Sequence, residues 1–255
     1  MTDTYRLDLQ EGGLPAGIRG FLQNLLAAEA VRAVLVPQHL PMRRLVMPTL
    51  VTRSEGMDGV DPLAPCFPMN AARIASRLAR KPMGARWAAV LRPCEIRAFV
   101  ELVKLKQART DEVVLVSIDC LGAFQNKDYI RRAGETPAAA TQDFVGRALA
   151  GENLEPDLAP ACRACEFPVP PHSDIHIGFL GCDGALMAEA RSPAGREAVE
   201  SLKLARSEAP ASRRAALDAL VARRVGRRDE MFAATQAAID GIDKAAAYFA
   251  DCINC

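Results

Sequence analysis

The sequence predicts an α/β protein with a mixed, largely parallel sheet, flanking helices and a helical C-terminal arm. Residues 87–118 follow the pattern strand, turn, amphipathic helix, strand, which is typical of a parallel βαβ unit. The second of these strands, over 111–118, has an apolar and β-branched centre, as expected of a strand that is covered on both faces. From residue 190 onwards the apolar residues recur with helical spacing, which predicts the arm.

The composition narrows the class of protein. The 255 residues are 50% hydrophobic and 25% charged, which is enough to bury a substantial core. A net charge of +1 gives no strong field towards nucleic acid or an anionic membrane. The N-terminus is polar and acidic, unlike a signal peptide, and the chain has no apolar run long enough to cross a bilayer. These features predict a cytoplasmic protein without a membrane span and without a nucleic-acid partner.

Several elements are predicted to precede the βαβ unit. They are a helix over 18–28, strands over 33–37 and 45–52, a loop over 53–68 and a helix over 71–80. Pro48 lies within the second strand, which places that strand at a sheet edge or a bulge. Asn70 is a good N-cap for the helix that follows it.

The remaining elements divide the chain into two predicted units. They are strands over 87–91, 111–118 and 175–180, and helices over 95–107, 141–149, 192–207, 212–224 and 229–250. The polar segment 125–160 reads as an insertion that covers a site. We expect an α/β domain over residues 1–190 and a helical arm over 191–255 that ends in part of a ferredoxin-type motif.

The eight cysteines carry most of the functional information. They are Cys66, Cys94, Cys120, Cys162, Cys165, Cys182, Cys252 and Cys255. In a reducing cytosol so many cysteines indicate metal ligands or buried thiols rather than disulfides. Cys162 and Cys165 form a Cys-x-x-Cys pair. Cys94 and Cys120 each follow the carboxyl end of a predicted strand, so both would lie at one rim if the two strands are neighbours.

The spacing leaves three interpretations of these four cysteines open. Four thiolates can hold a 4Fe–4S cluster or a tetrahedral zinc ion. Alternatively, Cys94 and Cys120 are small buried residues and the Cys162/Cys165 pair binds nothing. Cys66, which lies between prolines, and Cys182, which follows a strand, are interpreted as plain thiols.

The last two cysteines are interpreted separately. The sequence Cys252-Ile-Asn-Cys255 resembles the first half of a ferredoxin-type cluster motif. A lone pair of ligands predicts either a chain truncated inside such a motif or a pair that works with a partner, and we favour the former.

Other polar features have ordinary interpretations. His39, His172 and His176 are isolated, without the spacing of a triad or a metal site. The glycines of segment 178–184 can admit a phosphate, although a turn that needs glycine dihedral angles is the better explanation. The basic run 213–228 is typical of a solvated helix face, or of a docking surface for an acidic redox partner.

Three segments taken together resemble the beta-subunit family of coenzyme F-420-reducing hydrogenases and formate dehydrogenases. The first is RPCEIRAFVEL, over 92–102, in which Cys94 opens a helix. The second is the strand that ends in SIDCLG, over 117–122, and the third is CRACEFPVPPHSDIHIGFLG, over 162–181. The resemblance covers about residues 30–235. The PCE form and the terminal CINC are similar to a bacterial branch of this family.

The resemblance implies a function and a set of ligands. Members of the family carry one 4Fe–4S cluster in this domain and often FAD, so the resemblance implies that Cys94, Cys120, Cys162 and Cys165 are the cluster ligands. It implies electron transfer with a catalytic subunit of a formate dehydrogenase or hydrogenase and with other iron–sulfur carriers. Arg92 and Arg97 would then either offset the charge of the cluster or lie in solvent. No flavin-binding motif is evident, and the loops 53–70 and 178–184 are the best candidates.

Two other functions stay open at this stage. One is a zinc-stabilised scaffold or binding subunit without a redox role. The other is a stand-alone flavin-dependent reductase in which a cluster only relays electrons.

Overall fold

The computed structural model describes residues 3–7, 9, 11–40, 44–134 and 136–250. Within these residues the chain folds as a seven-stranded mixed sheet flanked by helices, which confirms the predicted α/β class. The strands are β1 (Asp3–Leu7), β2 (Val34–His39), β3 (Val46–Val51), β4 (Trp87–Val90), β5 (Val113–Ile118), β6 (Ile175–Gly178) and β7 (Leu186–Ala190). The helices are α1 (Gly13–Ala27), α2 (Ala72–Leu78), α3 (Pro93–Lys104), α4 (Asn126–Ala133), α5 (Pro137–Leu149), α6 (Pro160–Arg163), α7 (Pro193–Glu200), α8 (Ala211–Ala238) and α9 (Ile242–Tyr248).

The centre of the sheet is parallel. The strand order is β1-β7-β6-β5-β4-β2-β3, and the pairs β2/β4, β4/β5 and β5/β6 are parallel. The pairs β1/β7, β6/β7 and β2/β3 are antiparallel. Strands β4 and β5 are therefore parallel neighbours, and their carboxyl ends meet at one edge of the sheet. This edge is where sequence analysis places Cys94 and Cys120.

Both faces of the sheet are buried. Alternate residues of β4 contact different cores, because successive side chains of a strand point to opposite faces. Val90 joins the core that includes Leu22 of α1, whereas Ala89 joins the core that includes Ile96 and Phe99 of α3. Coverage by helices on both sides explains the continuous apolar run of β5, all six residues of which are buried.

The two edge strands of the sheet, β3 and β1, differ in what lies along their outer sides. Strand β3 is an edge strand, as Pro48 predicts, and Pro48 lies opposite Pro37 of β2. At the other edge the main chain of residues 205–207 runs along β1. The amide of Arg6 donates a hydrogen bond to the carbonyl of Ala205, and the amide of Ser207 donates one to the carbonyl of Thr4.

The C-terminal helices differ from the prediction. Two helices were predicted, over 212–224 and 229–250, and the predicted break between them is wrong. Helix α8 runs without a break from Ala211 to Ala238, and α9 follows after Gly241. Helix α7 ends at Glu200, earlier than the predicted 207. Strands β1 and β7 and helices α4 and α6 were not predicted.

Two predictions are not tested by the described residues, and a third, on a membrane span, is. The division of the chain into units over 1–190 and 191–255 stays a prediction. Cys252 and Cys255 lie outside the described residues. In the part of the chain that the structure describes, no helix combines the length and the apolar character needed to span a bilayer.

Candidate metal centre at the edge of the sheet

The four predicted cysteines line one cavity of about 460 Å³. Cys94 is the second residue of α3, and Cys120 lies just beyond the end of β5. Cys162 is in the short helix α6, and Cys165 follows that helix. The parallel pairing of β4 with β5 therefore brings the first two thiols to the same edge, and the chain returns after α5 to bring the other two beside them.

Local sequence explains where α3 begins. Pro93 occupies its first position, where the missing amide proton is not needed. The Glu95 carboxylate accepts hydrogen bonds from the amides of Arg92 (2.8 Å) and Ala71 (2.7 Å), which ties the start of α3 to the start of α2. Burial raises the pKa of the Glu95 carboxyl, while the charge of Arg92 and these two bonds oppose that change. Cys94 is thus held at a well-defined helix N-terminus.

Gly122 brings the turn after β5 close to α6. Its φ of +101° lies in the left-handed region that favours glycine, and an added Cβ would lie 3.3 Å from the Cβ of Cys162 and 3.1 Å from the side chain of Leu158. The amide of Cys120 donates to the carbonyl of Pro168, in the proline-rich turn after Cys165 (3.0 Å). The two cysteine turns are therefore joined through their main chains.

Two of the four thiols at this cavity, those of Cys94 and Cys120, have a raised pKa. Part of Cys94 is exposed to solvent, but desolvation by the surrounding protein raises the pKa of its thiol to about 12, and the neighbouring Cys120 adds to this change. Burial also raises the pKa of the Cys120 thiol, against the opposing charges of Arg92 and Arg224. A bound metal that replaces the thiol protons would remove this penalty, because metal ligation requires the thiolate.

The donor set of four thiols suits zinc or an iron–sulfur cluster, both of which bind thiolates. Among the described residues, no three or more His, Cys, Asp or Glu side chains are close enough together to hold one metal ion. A tetrahedral zinc site brings each sulfur to about 2.3 Å from the same ion. In a cubane cluster each thiolate binds a different iron atom, so the four sulfurs are spread around a larger object. The four thiols that line the cavity supply the number of ligands that either arrangement requires.

Two arginines beside the cavity bond to main-chain carbonyls. Arg92 donates to the carbonyls of Ala64 (2.7 Å) and Cys66 (2.5 Å), and its guanidinium carbon lies 5.4 Å from the ring centroid of Phe67. Arg224 of α8 donates to the carbonyls of Cys120 (3.0 Å) and Cys165 (3.4 Å). Both line the cavity. Arg92 was expected near the cysteines from its place beside Cys94, whereas nothing in the sequence pointed to Arg224.

Arg97 has a different environment. It is exposed, and its guanidinium carbon lies 4.1 Å from the ring centroid of Phe167. Arg97 lines a groove that runs along the outer side of α3 from Cys94, and it is not among the residues that line the cysteine cavity. Arg92 and Arg97 were given the same two possible roles from the sequence. In the structure Arg92 lines the cysteine cavity, whereas Arg97 lines the neighbouring groove.

The basic run 213–228 is divided between a buried contact surface and a solvated face, on which Arg214 and Arg223 lie. Arg213 is 5% exposed and Arg224 is 4% exposed. Arg228 forms an ion pair with Glu166, the residue after Cys165, at 2.5 Å. Positions 213, 224 and 228 fall on one side of a helix, because 11 and 15 residues are close to whole numbers of turns. This side of α8 faces the cysteine turns.

A buried polar network lies directly behind Cys120. The Asp119 carboxylate accepts hydrogen bonds from His176 Nε2 (2.9 Å), from both terminal nitrogens of Arg213 (2.8 and 3.1 Å) and from the amides of Phe179 and Leu180. Burial would raise the pKa of the Asp119 carboxyl, but these donors outweigh it and hold that pKa well below its usual range. Arg213 also pairs with Glu189 of β7 (3.1 Å).

The interpretation of His176 as isolated is wrong. Its Nδ1 lies 2.7 Å from the hydroxyl of Ser117, and its Nε2 bonds to Asp119. The order Ser117, His176, Asp119 is that of a hydrolytic triad, but all three residues are almost fully buried within the sheet. A nucleophile needs access to its substrate, so this arrangement serves the fold. His39 likewise has a carboxylate partner, Asp61, at 3.0 Å.

The glycines of segment 178–184 make room for α8 rather than for a phosphate. A Cβ at Gly178 would clash with the guanidinium of Arg213. A Cβ at Gly181 would lie 2.7 Å from the Cα of Arg213 and 2.8 Å from the Cβ of Ala216. The space that sequence analysis considered for a phosphate is thus filled by the protein itself.

Cys66 and Cys182 lie apart from the candidate centre. Both are buried, and neither is among the residues that line the cysteine cavity. Burial raises the pKa of the Cys66 thiol to about 11. The Cys182 sulfur lies 3.6 Å from the carbonyl of Leu180. These two residues supply matched controls for the four cysteines of the cavity.

Comparisons with known proteins agree with the fold. No protein-family model matches this sequence. The structure is similar to one chain in a structure of the xenon-derivatised F420-reducing NiFe hydrogenase complex from Methanosarcina barkeri, with a TM-score of 0.64 and 14% sequence identity. The match covers 95% of this chain and 94% of that chain. At this level of identity the likeness shows a shared fold over almost the whole length of both chains.

Proposed function

We propose that this chain is an electron-transfer subunit of a hydrogenase-like or formate dehydrogenase-like redox complex. In this proposal Cys94, Cys120, Cys162 and Cys165 hold one 4Fe–4S cluster. The observation that carries the proposal is the cavity of about 460 Å³ at which three separate segments of the chain bring four thiols together, one each from Cys94 and Cys120 and two from the Cys162/Cys165 pair. Ordinary buried cysteines have no reason to converge in this way, since each would pack equally well elsewhere in the core.

The residues of the chain would perform three tasks at this site. The four thiolates bind the group. Arg92 and Arg224 place positive charge beside it and fix the turns that carry Cys66, Cys120 and Cys165. Phe67 and Phe124 line the cavity with apolar surface. When bound, a 4Fe–4S cluster supplies one-electron transfer at a potential set by ligation, burial and nearby charge.

The expected partners follow from this role. The similar chain belongs to an F420-reducing NiFe hydrogenase complex, which supports a catalytic subunit as the partner of this chain. Other iron–sulfur carriers are proposed as the second kind of partner, because a single cluster must receive and deliver its electrons.

FAD binding is proposed as a second, separate property. Of the two loops considered for it, segment 178–184 is filled by Arg213 and α8, which leaves the loop over 53–70. Pro62, Leu63 and Ala64 of that loop are buried and line, with Arg92, a cavity of about 30 Å³ at the ends of β4 and β5, so a flavin would need this loop to move aside. In open α/β sheets ligands bind at this edge.

The test is anaerobic purification followed by iron, sulfide and zinc analysis and a visible spectrum. The variants are Cys162→Ser and, as a matched control, Cys182→Ser. We expect about four irons and about four sulfides per chain in the wild type and in Cys182→Ser, and loss of both in Cys162→Ser. Flavin released on denaturation is measured in the same samples.

Other outcomes would redirect the assignment. Near-stoichiometric zinc in a colourless protein would overturn the electron-transfer proposal and favour a zinc-stabilised scaffold. Bound flavin together with turnover in the absence of any partner would favour a stand-alone reductase. Iron retained in Cys162→Ser would show that the cluster is held by other residues.

A further inference from the structure

Arg224 is a buried cation without a carboxylate partner. Its side chain is 4% exposed, and none of the ion pairs among the described residues includes it. Its hydrogen bonds go to the carbonyls of Cys120 and Cys165, and it lines the cysteine cavity. A buried charge is strongly unfavourable unless another charge compensates it. The cavity that Arg224 lines is the place where a compensating negative charge could be bound.

The same helix contains an internal comparison. Arg213 is equally buried, but it pairs with the carboxylates of Asp119 (2.8 Å) and Glu189 (3.1 Å). Helix α8 thus carries one buried arginine whose charge is balanced by the protein and one whose charge faces four thiols. An anionic group held by those four cysteines would supply the partner that Arg224 lacks.

We infer that Arg224 compensates the negative charge of the group held by the four cysteines and positions two of the turns that hold it. The inference rests on the proposed function. A cubane cluster with four thiolate ligands is an anion, and each one-electron reduction adds a further negative charge. A nearby buried cation favours the more negative form, so Arg224 raises the reduction potential of the cluster.

The positioning role depends on the shape of the guanidinium. Two of its nitrogens reach two carbonyls that belong to different turns, one after β5 and one after α6. The fork is rigid and planar, so it fixes the separation of these turns, whereas the single ammonium of a lysine fixes neither. The Arg228–Glu166 pair, one helical turn further along α8, holds the second turn at another point.

The test compares Arg224→Gln and Arg224→Lys with Arg223→Gln. Arg223 is the preceding residue of α8, is exposed and does not line the cavity, so it controls for loss of one arginine from this helix. The proteins are purified anaerobically and their iron content is measured. The cluster is then titrated with dithionite and followed by electron paramagnetic resonance. Thermal unfolding is recorded for each protein with the cluster and after its removal.

We expect a lower reduction potential in Arg224→Gln than in the wild type, and an unchanged potential in Arg223→Gln. Arg224→Lys keeps the charge, so its potential stays near that of the wild type, but it loses iron faster because the two turns are no longer fixed. Loading the cluster raises the unfolding temperature of Arg224→Gln less than that of the wild type, since the cluster no longer relieves a buried charge.

The result that overturns the inference is an Arg224→Gln variant with wild-type iron content, potential and gain in unfolding temperature. If Arg224→Gln does not fold, a normal rate of iron loss in Arg224→Lys overturns the positioning role, and a shifted potential in Arg223→Gln overturns the assignment of the charge effect to position 224. Absence of iron from the wild type is a different result, because it contradicts the proposed function instead.

Discussion

Asp119 joins three parts of the molecule through one carboxylate. It follows β5, accepts from His176 of β6 and from Arg213 of α8, and immediately precedes Cys120. Two amides, those of Phe179 and Leu180, complete its hydrogen bonds. Because both oxygens are satisfied and the charge is paired, burial of this carboxylate is tolerated. Asp119 thereby fixes the start of the turn that carries Cys120 relative to α8.

Removing the charge of Asp119 should destabilise the fold strongly. Asp119→Asn leaves Arg213 buried with one carboxylate partner instead of two and replaces an acceptor with a donor. We expect a loss of about 3–5 kcal/mol in the free energy of unfolding, measured by urea denaturation. Asp218→Asn is the control, since Asp218 pairs with Arg214 on the exposed side of the same helix. That change should cost less than about 1 kcal/mol, and equal losses in the two variants would contradict the role given to Asp119.

Sequence predicted single residues well where the information was local. Cys94 and Cys120 were placed at one rim because each follows a strand, and the strands proved to be neighbours. Arg224 was missed because its partners are 104 and 59 residues away in the sequence. Nothing in an arginine-rich stretch distinguishes a residue that reaches a buried carbonyl from one that points into water.

At the scale of elements, α8 depends on glycines in two opposite ways. Gly226 lies inside α8, where a Cβ would meet no atom within 4 Å. Gly181 lies in the turn against which α8 packs, with φ of +65° and no space for a Cβ. The first glycine weakens the helix through its conformational freedom, and the second allows the helix to dock.

Replacing these two glycines should have effects of opposite sign. Gly226→Ala should raise the free energy of unfolding by about 0.5–1 kcal/mol, because alanine favours helix and fits the open space. Gly181→Ala should lower it by several times that amount, since the φ angle and the clash with Arg213 and Ala216 both oppose it. Urea denaturation measures both changes. A stabilising effect of Gly181→Ala would show that α8 does not pack against this turn as described.

The errors at this scale have identifiable causes. Gly226 lies in the gap between the two predicted helices, but one glycine costs a long helix only about 1 kcal/mol, so α8 continues through it. Strand β7, with the sequence LMAEA, contains residues that favour helices, and pairing with β1 and β6 overrides that preference. Strand β1 depends on a partner about 180 residues away, which no local pattern reveals.

At the scale of the whole molecule, buried titratable groups make global stability depend on pH. Burial lowers the pKa of His176 below its ordinary value, while Asp119 opposes that change. Below about pH 6.5 the unfolded chain takes up a proton at this position that the folded chain does not bind. The stabilisation is therefore present above the unfolded pKa and is lost as the pH falls. Asp119, whose pKa is also lowered, adds a further loss below about pH 4.

We expect the free energy of unfolding of the cluster-free protein to fall between pH 7 and pH 5, with a slope of up to about 1.4 kcal/mol per pH unit from His176. His176→Gln, which keeps a donor for Asp119, should flatten this part of the curve. His172→Gln is the control, because His172 is exposed. Urea denaturation at pH 7, 6 and 5 measures the slopes, and equal slopes in the wild type and in His176→Gln would contradict the prediction.

The overall architecture was predictable in its centre and not at its margins. The apolar run 111–118 and the helix before it specify a parallel unit by themselves, since local pattern and burial agree there. Two features depend on contacts between distant parts of the chain. They are the pairing of β1 with β7 at one edge of the sheet and the packing of α8 against the cysteine turns. These contacts are the ones that complete the candidate site.

The two ends of the sheet have a consequence for how copies of this chain meet. An exposed edge strand is a template onto which a strand of another molecule can add, and such addition propagates into aggregates. At β3 an incoming strand would meet Pro48, which has no amide to donate. At β1 the outward groups of Thr4 and Arg6 already bond to residues 205–207. Both edges of the sheet thus disfavour the addition of a strand from another copy of this chain.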